Sequence, residues 1–405
     1  MRNITGSVID GDDFFDREAD LARLWRDLET DSLLMLSPRR IGKTSILRRM
    51  QQQAADHGFE GALFMDVSAC RDELGFVQQL STALLETDRT ERLWNAIQNS
   101  PLAKVIGRVQ KVGGVGVNIE FRTDGSAGWE RLGESLAESV DRMDGRWLLL
   151  IDELPIFIAN LMTGEDSRSR VRQFLYWLRK IRLQYPKLRW LLTGSIGLDT
   201  IAARLSVSDV INDLRIVAVG PFPRETADRF LLELGHSYQL ELSPAVRSRL
   251  VERIGWLAPF YLQLAFKQLR EETPPLTVES ADRAIDSLLE PQYRVHFDYW
   301  RQRLNLELEA SDAAHARDLL NAAARDPRGV SLSTLSQALA KELQDTRLRQ
   351  ERLRYLLDVL CNDGYLVEFE SRYCFRFPLL REYWLRRVVP FDLPPEQEPS
   401  GEPAQ

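Results

Sequence analysis

The sequence is poor in cysteine and has no paired cysteine motif. Its three cysteines, Cys70, Cys361 and Cys374, are widely separated and show no CxxC spacing. This pattern excludes a disulfide framework and a zinc knuckle. Three reduced cysteines are typical of a cytoplasmic protein, which is the localisation we expect.

Long hydrophobic runs are also lacking. The most apolar stretch, WLLLIDELPIFIANLM, is interrupted by Asp152, Glu153 and Pro155, and the N-terminus, MRNITGSVIDGDDFF, has no apolar core. We therefore expect neither a membrane span nor an export signal. The net charge of -7 shows no overall basic excess, so a nucleic-acid interface would have to lie within one domain.

What is present is a globular composition over a multi-domain length. The 405 residues, 44% of them hydrophobic and 28% charged, indicate two or three domains. Short apolar runs alternate with helical segments up to residue 220; they are SLLMLS (32–37), ALFMDVS (62–68), WLLLID (147–152), RWLLTGS (189–195) and LRIVAVG (214–220). The pattern predicts an α/β fold whose parallel sheet is covered on both faces. The glycine-rich segment 111–125 predicts a peripheral hairpin.

Beyond residue 220 the pattern becomes helical. Four segments with start and stop signals, including Ser243 at one N-terminus and Gly235 and Gly255 at two C-termini, predict a helical domain over 221–304. Three helices and a hairpin then predict a winged helix over 305–390, with Asn362-Asp363-Gly364 as a C-cap turn. The first domain thus spans 1–220. The tail 391–405, rich in Pro, Glu, Ser and Gly, is expected to be disordered.

The segment SPRRIGKTS follows the first predicted strand and precedes a predicted helix. It matches GxxxxGK[ST] except that Ser37 replaces the first glycine. In this pattern Gly42 lets the backbone approach phosphate, Lys43 reaches the β- and γ-phosphates, and Thr44 offers a hydroxyl to Mg²⁺. The predicted cofactors are ATP or ADP with Mg²⁺, held by Ser37, Pro38, Arg39, Arg40, Ile41, Gly42, Lys43, Thr44 and Ser45. The alternative is a capped turn on an ordinary helix.

Two acids end the strand WLLLID. At the carboxyl end of a parallel strand, Asp152 can hold Mg²⁺ through water and Glu153 can polarise a water for attack on the γ-phosphate. With Lys43 they predict ATP hydrolysis; a helix N-cap with an acid near the dipole is the alternative. A third strand ends in Thr193-Gly194-Ser195, and Ser195 is a candidate contact to the γ-phosphate or the attacking water if that strand lies between the other two. The alternative is a turn that requires short residues.

These residues resemble the archaeal-type P-loop ATPase family, in the additional-strand branch of AAA+ and STAND proteins. The similar segments reach to about Arg387 and are GDDFFDREADLARLW, PRRIGKTSIL, LLLIDEL, TGSIGL, VGPFPRETADRFL and CFRFPLLREYWLRR. The resemblance implies that an N-terminal element of Phe14, Phe15, Arg17 and Glu18 lies near the adenine. It also implies that the helical domain is a lid, closing on the nucleotide around Gly255 and Pro259.

The resemblance further implies a molecular switch that binds and hydrolyses ATP. Its nucleotide state would control the winged helix and assembly with a homo-oligomeric or protein partner, in regulation or defence signalling. A neighbouring subunit could supply an arginine worth ~10³ to 10⁵ in rate, so an isolated chain should turn over slowly. The candidates are Arg168, Arg170, Arg172, Arg179 and Arg204. Arg39 and Arg40 either brace the loop through carboxylates such as Glu153 or point outward.

The predicted winged helix leaves DNA binding open. Its segment DTRLRQERLRYLLDVL carries Arg347, Arg349, Arg352 and Arg354 ahead of an apolar face, which would suit a major groove. Acidic residues dilute this charge, so a protein-interaction or autoinhibitory role is equally open. The rival function is a DNA-binding initiator or regulator resembling origin-recognition ATPases.

Overall fold

The computed structural model describes residues 1–9, 11–85, 106–112, 116–121, 128–163, 166–194 and 208–389. The chain divides into two compact units. One is Gly6–Gly220; the other joins Met1–Thr5 to Pro221–Gln405. Among the described helices, none is both long enough and apolar enough to cross a membrane.

The first unit is built on a parallel five-stranded sheet. In chain order its described elements are α1 (Glu18–Thr30), β1 (Ser32–Leu36), α2 (Lys43–Gln53), β2 (Gly61–Asp66), α3 (Glu73–Leu85), β3 (Ile106–Val112), β4 (Gly116–Phe121), α4 (Trp129–Asp141), β5 (Trp147–Asp152), α5 (Leu154–Leu161), α6 (Ser167–Gln184), β6 (Leu188–Gly194) and β7 (Leu214–Val217). The sheet order is β2–β5–β6–β1–β7. The predicted α/β class is confirmed.

Helices flank opposite faces of the sheet because successive side chains of a strand point to opposite sides. On β2, Leu63 and Met65 join the core cluster that includes Phe76 of α3. Phe64 points the other way, and the guanidinium carbon of Arg48 on α2 lies 3.6 Å from its ring centroid. All six residues of β5 are buried, as expected for a central parallel strand.

The predicted hairpin is also observed. Strands β3 and β4 pair antiparallel and form a two-stranded sheet of their own. Their connection at 113–115 lies outside the described residues.

The second unit is mainly helical. Its elements are α7 (Arg224–Ser237), α8 (Pro244–Ile254), α9 (Pro259–Leu269), α10 (Val278–Leu288), α11 (Asp298–Glu307), α12 (Ala310–Ala324), β8 (Val330–Ser331), α13 (Leu332–Leu339), α14 (Thr346–Asn362), β9 (Leu366–Phe369), β10 (Arg372–Phe375) and α15 (Pro378–Arg387). The three strands form an antiparallel sheet in the order β8–β10–β9. Assignment of this arrangement to the winged-helix class stays a prediction.

Capping residues explain several of these helix boundaries. The Ser243 hydroxyl accepts from the Val246 amide and starts α8, and Gly255 in a positive-φ conformation ends it, as predicted. Gly364 follows the end of α14 with φ 82°. Gly235 does not end a helix: it lies inside α7, two residues before its last residue, because the helix continues to Ser237.

The N-terminal residues pack onto this helical unit. The Asn3 amide donates to the Tyr238 hydroxyl at 2.9 Å, and Asn3 Nδ2 donates to the Gln263 carbonyl at 2.9 Å. The sequence analysis assigned these residues to a first domain over 1–220, whereas the structure joins Met1–Thr5 to the second unit.

Candidate active site

The loop from Ser37 to Gly42 closes around its own lysine. Gly42 has φ 98°, a left-handed conformation that strains any residue with a Cβ, and it caps the N-terminus of α2. Lys43 is 6% exposed, and its ammonium donates to the carbonyls of Ser37 at 2.8 Å and Pro38 at 3.1 Å. Backbone oxygens therefore hold a buried cation at the start of a helix, where the dipole favours anions.

Ser37 and Ser45, the serines at the two ends of the segment, anchor it through their hydroxyls. The buried Ser37 hydroxyl accepts from the Val219 amide at 2.8 Å. The Ser45 hydroxyl accepts from the Ile9 amide at 3.0 Å. Glycine has no side chain, so Ser37 adds an anchor that the glycine of the motif could not supply. The departure from the motif ties the loop to the segment after β7.

The carboxyl ends of β5 and β6 and the first turn of α2 meet at Asp152. This carboxylate is 1% exposed, and Thr44 donates its hydroxyl to Oδ2 at 2.5 Å. Thr193, at the end of β6, donates its hydroxyl to Oδ1, which also accepts the Glu153 amide at 3.1 Å. The cluster forms because β6 pairs with both β1 and β5, which brings their carboxyl ends together.

Glu153 occupies a strained position beside this cluster. Its φ of 58° places a non-glycine residue in the left-handed region at the start of α5. Its Oε2 lies 3.8 Å from Nη2 of Arg39. Burial raises the pKa of Glu153 above its usual value, while Arg39 and Lys43 oppose the rise, and Asp152 and Asp66 add to it.

Gly194 packs closely against the ring of Pro155, two residues after Glu153. A Cβ added to Gly194, at the end of β6, would lie 2.7 Å from Cγ of Pro155. Glycine therefore lets β6 end directly against the first turn of α5. A larger residue would push apart the two segments that present Thr193 and Glu153.

The donor set at Asp152 fits a magnesium ion. The Thr44 hydroxyl and the Asp152 carboxylate are hard oxygen ligands already within hydrogen-bonding distance of each other. Among the described residues, no group of three or more His, Cys, Asp or Glu side chains forms a complete metal cage. One or two protein oxygens, completed by phosphate and water, are the usual protein contribution to a Mg²⁺ site.

The N-terminal element reaches the same loop through Arg17. Its Nη2 donates to the Ile41 carbonyl at 3.3 Å and its Nη1 to Asp20 Oδ2 at 2.9 Å. Arg17 has φ 86° and is 8% exposed, and burial lowers its pKa. Phe15, two residues earlier, is half-buried. The contact of this element with adenine stays a prediction.

The roles of two predicted site residues stay predictions. Ser195 lies outside the described residues. Pro259 is the first residue of α9 in the second unit. The hydroxyl that reaches Asp152 from β6 belongs to Thr193, which sequence reasoning passed over in favour of Ser195. The signal was available, because Thr193 precedes the strand-end glycine.

Part of the arginine set is engaged within the chain. Arg170 makes a bidentate contact with Glu73, with distances of 3.1 and 2.7 Å. Arg179 Nη1 donates to Asp209 Oδ2 at 3.3 Å. Arg168 and Arg172 are exposed near the start of α6, and Arg204 lies outside the described residues. Arg168 and Arg172 are therefore the most accessible candidates among the described four.

Comparison with solved structures shows the fold of this chain. A Walker-type ATPase of Pyrococcus abyssi aligns with a TM-score of 0.63 and 20% sequence identity, over 92% of this chain and 96% of that one. The ORC2 protein of Aeropyrum pernix, solved as ADPNP–ADP complexes, aligns with a TM-score of 0.57 and 12% identity, over 94% and 97%. The sequence matches no protein-family model, and a search of curated proteins finds no match. The chain thus shares the fold of Walker-type ATPases.

Proposed function

We propose that this protein is a molecular switch that binds and hydrolyses ATP. The observation that carries the proposal is the hydrogen-bonded cluster of Thr44, Asp152 and Thr193 directly beside Lys43 and Glu153. A capped turn on an ordinary helix would need neither a buried lysine nor a buried carboxylate at the same sheet edge. The solved neighbours described as a Walker-type ATPase and as ADPNP–ADP complexes support a nucleotide ligand.

Binding would use the loop backbone and Lys43. Phosphate oxygens would replace the carbonyls of Ser37 and Pro38 as partners of the Lys43 ammonium, which gains because a charged acceptor bonds more strongly than a neutral one. The helix dipole of α2 and the amides at its N-terminus would add to this attraction. Arg17 would fix the loop through the Ile41 carbonyl.

Hydrolysis would use Glu153 as the group that orients water and accepts its proton. Glu153 begins a helix at the end of β5, one residue after Asp152, so its carboxylate lies at the same edge as the loop. Thr44 and Asp152 would hold Mg²⁺, which when bound neutralises charge on the phosphate oxygens. Thr193 would keep the Asp152 carboxylate in one orientation.

The switch would act through the second unit. In this proposal residues 221–304 are a lid, 305–390 are a winged helix, and nucleotide state sets their position and the assembly with a second copy or another protein. Regulation or defence signalling would be its setting. Exposed Arg168 and Arg172 are candidates for an arginine supplied to a neighbouring subunit.

A second candidate is a DNA-binding initiator or regulator. The similarity of fold to a protein described as ORC2 favours it. The helix α14 supports it only weakly, because Arg352 donates to Asp312 and Arg349 to the Leu343 carbonyl. Salt-dependent binding of duplex DNA would favour this candidate, whereas ATP-dependent assembly without DNA would favour the first.

Two variants test the proposed activity. We expect Lys43→Ala to abolish nucleotide binding, and Glu153→Gln to keep binding while turnover falls by ~10² to 10⁴. Binding is measured by calorimetry, and phosphate release across a protein concentration series with size-exclusion on the same samples. Equal loss of binding in both variants would overturn the role given to Glu153. Retained binding in Lys43→Ala would overturn the nucleotide site.

A further inference from the structure

Two cationic side chains of the segment Ser37–Ser45, Lys43 and Arg39, have oxygens of the chain itself as partners. Lys43 is held by two backbone carbonyls. Arg39 lies at ion-pair distance from the Glu153 carboxylate. Phosphate oxygens would compete for both cations, because a phosphate offers several negatively charged acceptors. The competition has different consequences: Lys43 gives up neutral carbonyls, whereas Arg39 gives up the side chain proposed to activate water.

The contact between Arg39 and Glu153 is a loose ion pair that another partner of Arg39 could replace. The 3.8 Å separation exceeds a hydrogen-bond distance, and Glu153 Oε2 finds no hydrogen-bond donor within the described residues. The Arg39 and Glu153 side chains are 28% and 21% exposed, so solvent screens the ion pair in part, although Oε2 itself is buried. By comparison, the Thr44 and Thr193 hydroxyls hold Asp152 at hydrogen-bond distance. The carboxylate proposed for the metal is thus held firmly, and its neighbour loosely.

We propose that Arg39 is a positioning residue that holds Glu153 until ATP arrives, then moves to the terminal phosphate and releases the carboxylate towards the attacking water. The proposal rests on the proposed ATPase function. Arg39 lies on the loop that would cradle phosphate, and its partner Glu153 follows Asp152 at the end of β5. One guanidinium would therefore couple occupancy of the loop to the freedom of Glu153.

A fixed brace is the competing arrangement. In that case Arg39 would stay with Glu153 throughout the cycle and contact no phosphate. Loss of Arg39 would then misplace Glu153 and slow the chemical step, with little change in nucleotide affinity. An exchanging Arg39 instead predicts that its removal weakens binding of the triphosphate.

The test is a double-mutant cycle on nucleotide binding. The four full-length proteins are wild type, Arg39→Gln, Glu153→Gln and the double variant, each titrated with adenylyl imidodiphosphate and with ADP in the presence of Mg²⁺. We expect Arg39→Gln to weaken binding of the triphosphate analogue by about tenfold and of ADP by less than about threefold, because a charge-assisted contact to the terminal phosphate is lost. When Arg39 is present, Glu153→Gln should tighten binding of the analogue, because Arg39 no longer has to leave an ion pair to reach the phosphate. In the Arg39→Gln background the same change should have a smaller effect.

Rate and rescue complete the test. Single-turnover hydrolysis of saturating ATP by Arg39→Gln should fall as well, because the guanidinium no longer meets the terminal phosphate, and Arg39→Lys should recover part of the lost affinity because it restores the charge. Arg26→Gln, which removes one charge from an exposed site on α1, is the matched control. Unchanged affinity with a large loss of rate, or additive effects in the cycle, would overturn the exchange. Wild type that binds neither nucleotide would overturn the proposed function with it, whereas binding lost only in Lys43→Ala leaves that function standing.

Discussion

The segment Ser37–Ser45 and the helix α14 are both rich in arginine, but their positive charges are arranged differently. In the loop, Lys43 is buried among carbonyls and Arg39 lies beside a strained glutamate, so positive charge is gathered at one point. In α14, three of the four arginines, Arg347, Arg349 and Arg352, make contacts within the same unit. The exposed arginines, Arg347 and Arg354, share the helix with the exposed acids Glu351 and Asp358.

The difference teaches that a count of arginines indicates a binding surface only where the backbone aims them together. A strand-to-helix turn directs several groups to one anion, because the strand ends and the helix dipole point to the same place. An amphipathic helix instead spreads its charges around its axis, and some of them serve packing. Arg347 contacts Glu351 at 3.2 Å on the helix surface. The exposed face of α14 is therefore close to neutral.

The largest effect should come from Asp152→Asn. The amide keeps the shape of the side chain, but it removes the negative charge that accepts the hydrogen bonds of Thr44 and Thr193 and that Mg²⁺ would need. We expect steady-state hydrolysis to fall by ~10² or more, because metal-ion stabilisation contributes several kcal/mol. Raised Mg²⁺ should recover part of the rate. Undiminished hydrolysis would separate Asp152 from the metal.

A smaller effect should come from Thr193→Val. The isosteric change removes the hydroxyl that donates to Asp152 Oδ1 and leaves the Glu153 amide as a donor. Turnover should fall by roughly tenfold and unfolding free energy by about 1 kcal/mol, since one hydrogen bond to a charged group is lost. Thr193→Ser, which keeps the hydroxyl, is the control. A valine variant with wild-type turnover would contradict the positioning role of this strand end.

The arginines of α14 offer a stability test of the comparison. Arg352→Ala should lower the free energy of unfolding by about 1 kcal/mol, because it leaves the buried Asp312 carboxylate without that donor. Arg354→Ala, at an exposed position of the same helix, should stay within about 0.5 kcal/mol of wild type. Urea unfolding of both variants measures the difference. Equal losses would mean that charge on α14 matters as a whole and not through one contact.

The smallest expected effect is on DNA. The double variant Arg347→Ala and Arg354→Ala should change affinity for duplex DNA by less than about twofold and leave its salt dependence unchanged, because the exposed face is nearly neutral. Titration at several salt concentrations checks this. A fall of about two in the salt slope would instead place both arginines on phosphates and favour the initiator function.

Much of the fold could be read from local patterns. The strands β1, β2, β5, β6 and β7 were predicted within one or two residues at most ends, because apolar runs report burial directly. The hairpin was predicted at 111–125, whereas β3 begins at Ile106 and β4 ends at Phe121, four or five residues earlier. The position of β6 between β1 and β5 was a condition that the sequence could state but not decide. Strand order depends on long-range pairing, and no local pattern encodes it.

The sequence by itself determined the chemistry at hand: a helix N-terminus with glycine and lysine, and two acids after a buried strand. Only the tertiary structure decided how these groups meet. Thr193 reaches Asp152 because β6 joins the two neighbouring strands, and Ser37 binds the Val219 amide from 182 residues away. It also decided which arginines are occupied, since an ion pair such as Arg352 with Asp312 forms between side chains 40 residues apart. Spacing along the chain fixes which groups are available, whereas side-chain partners are chosen by packing between elements.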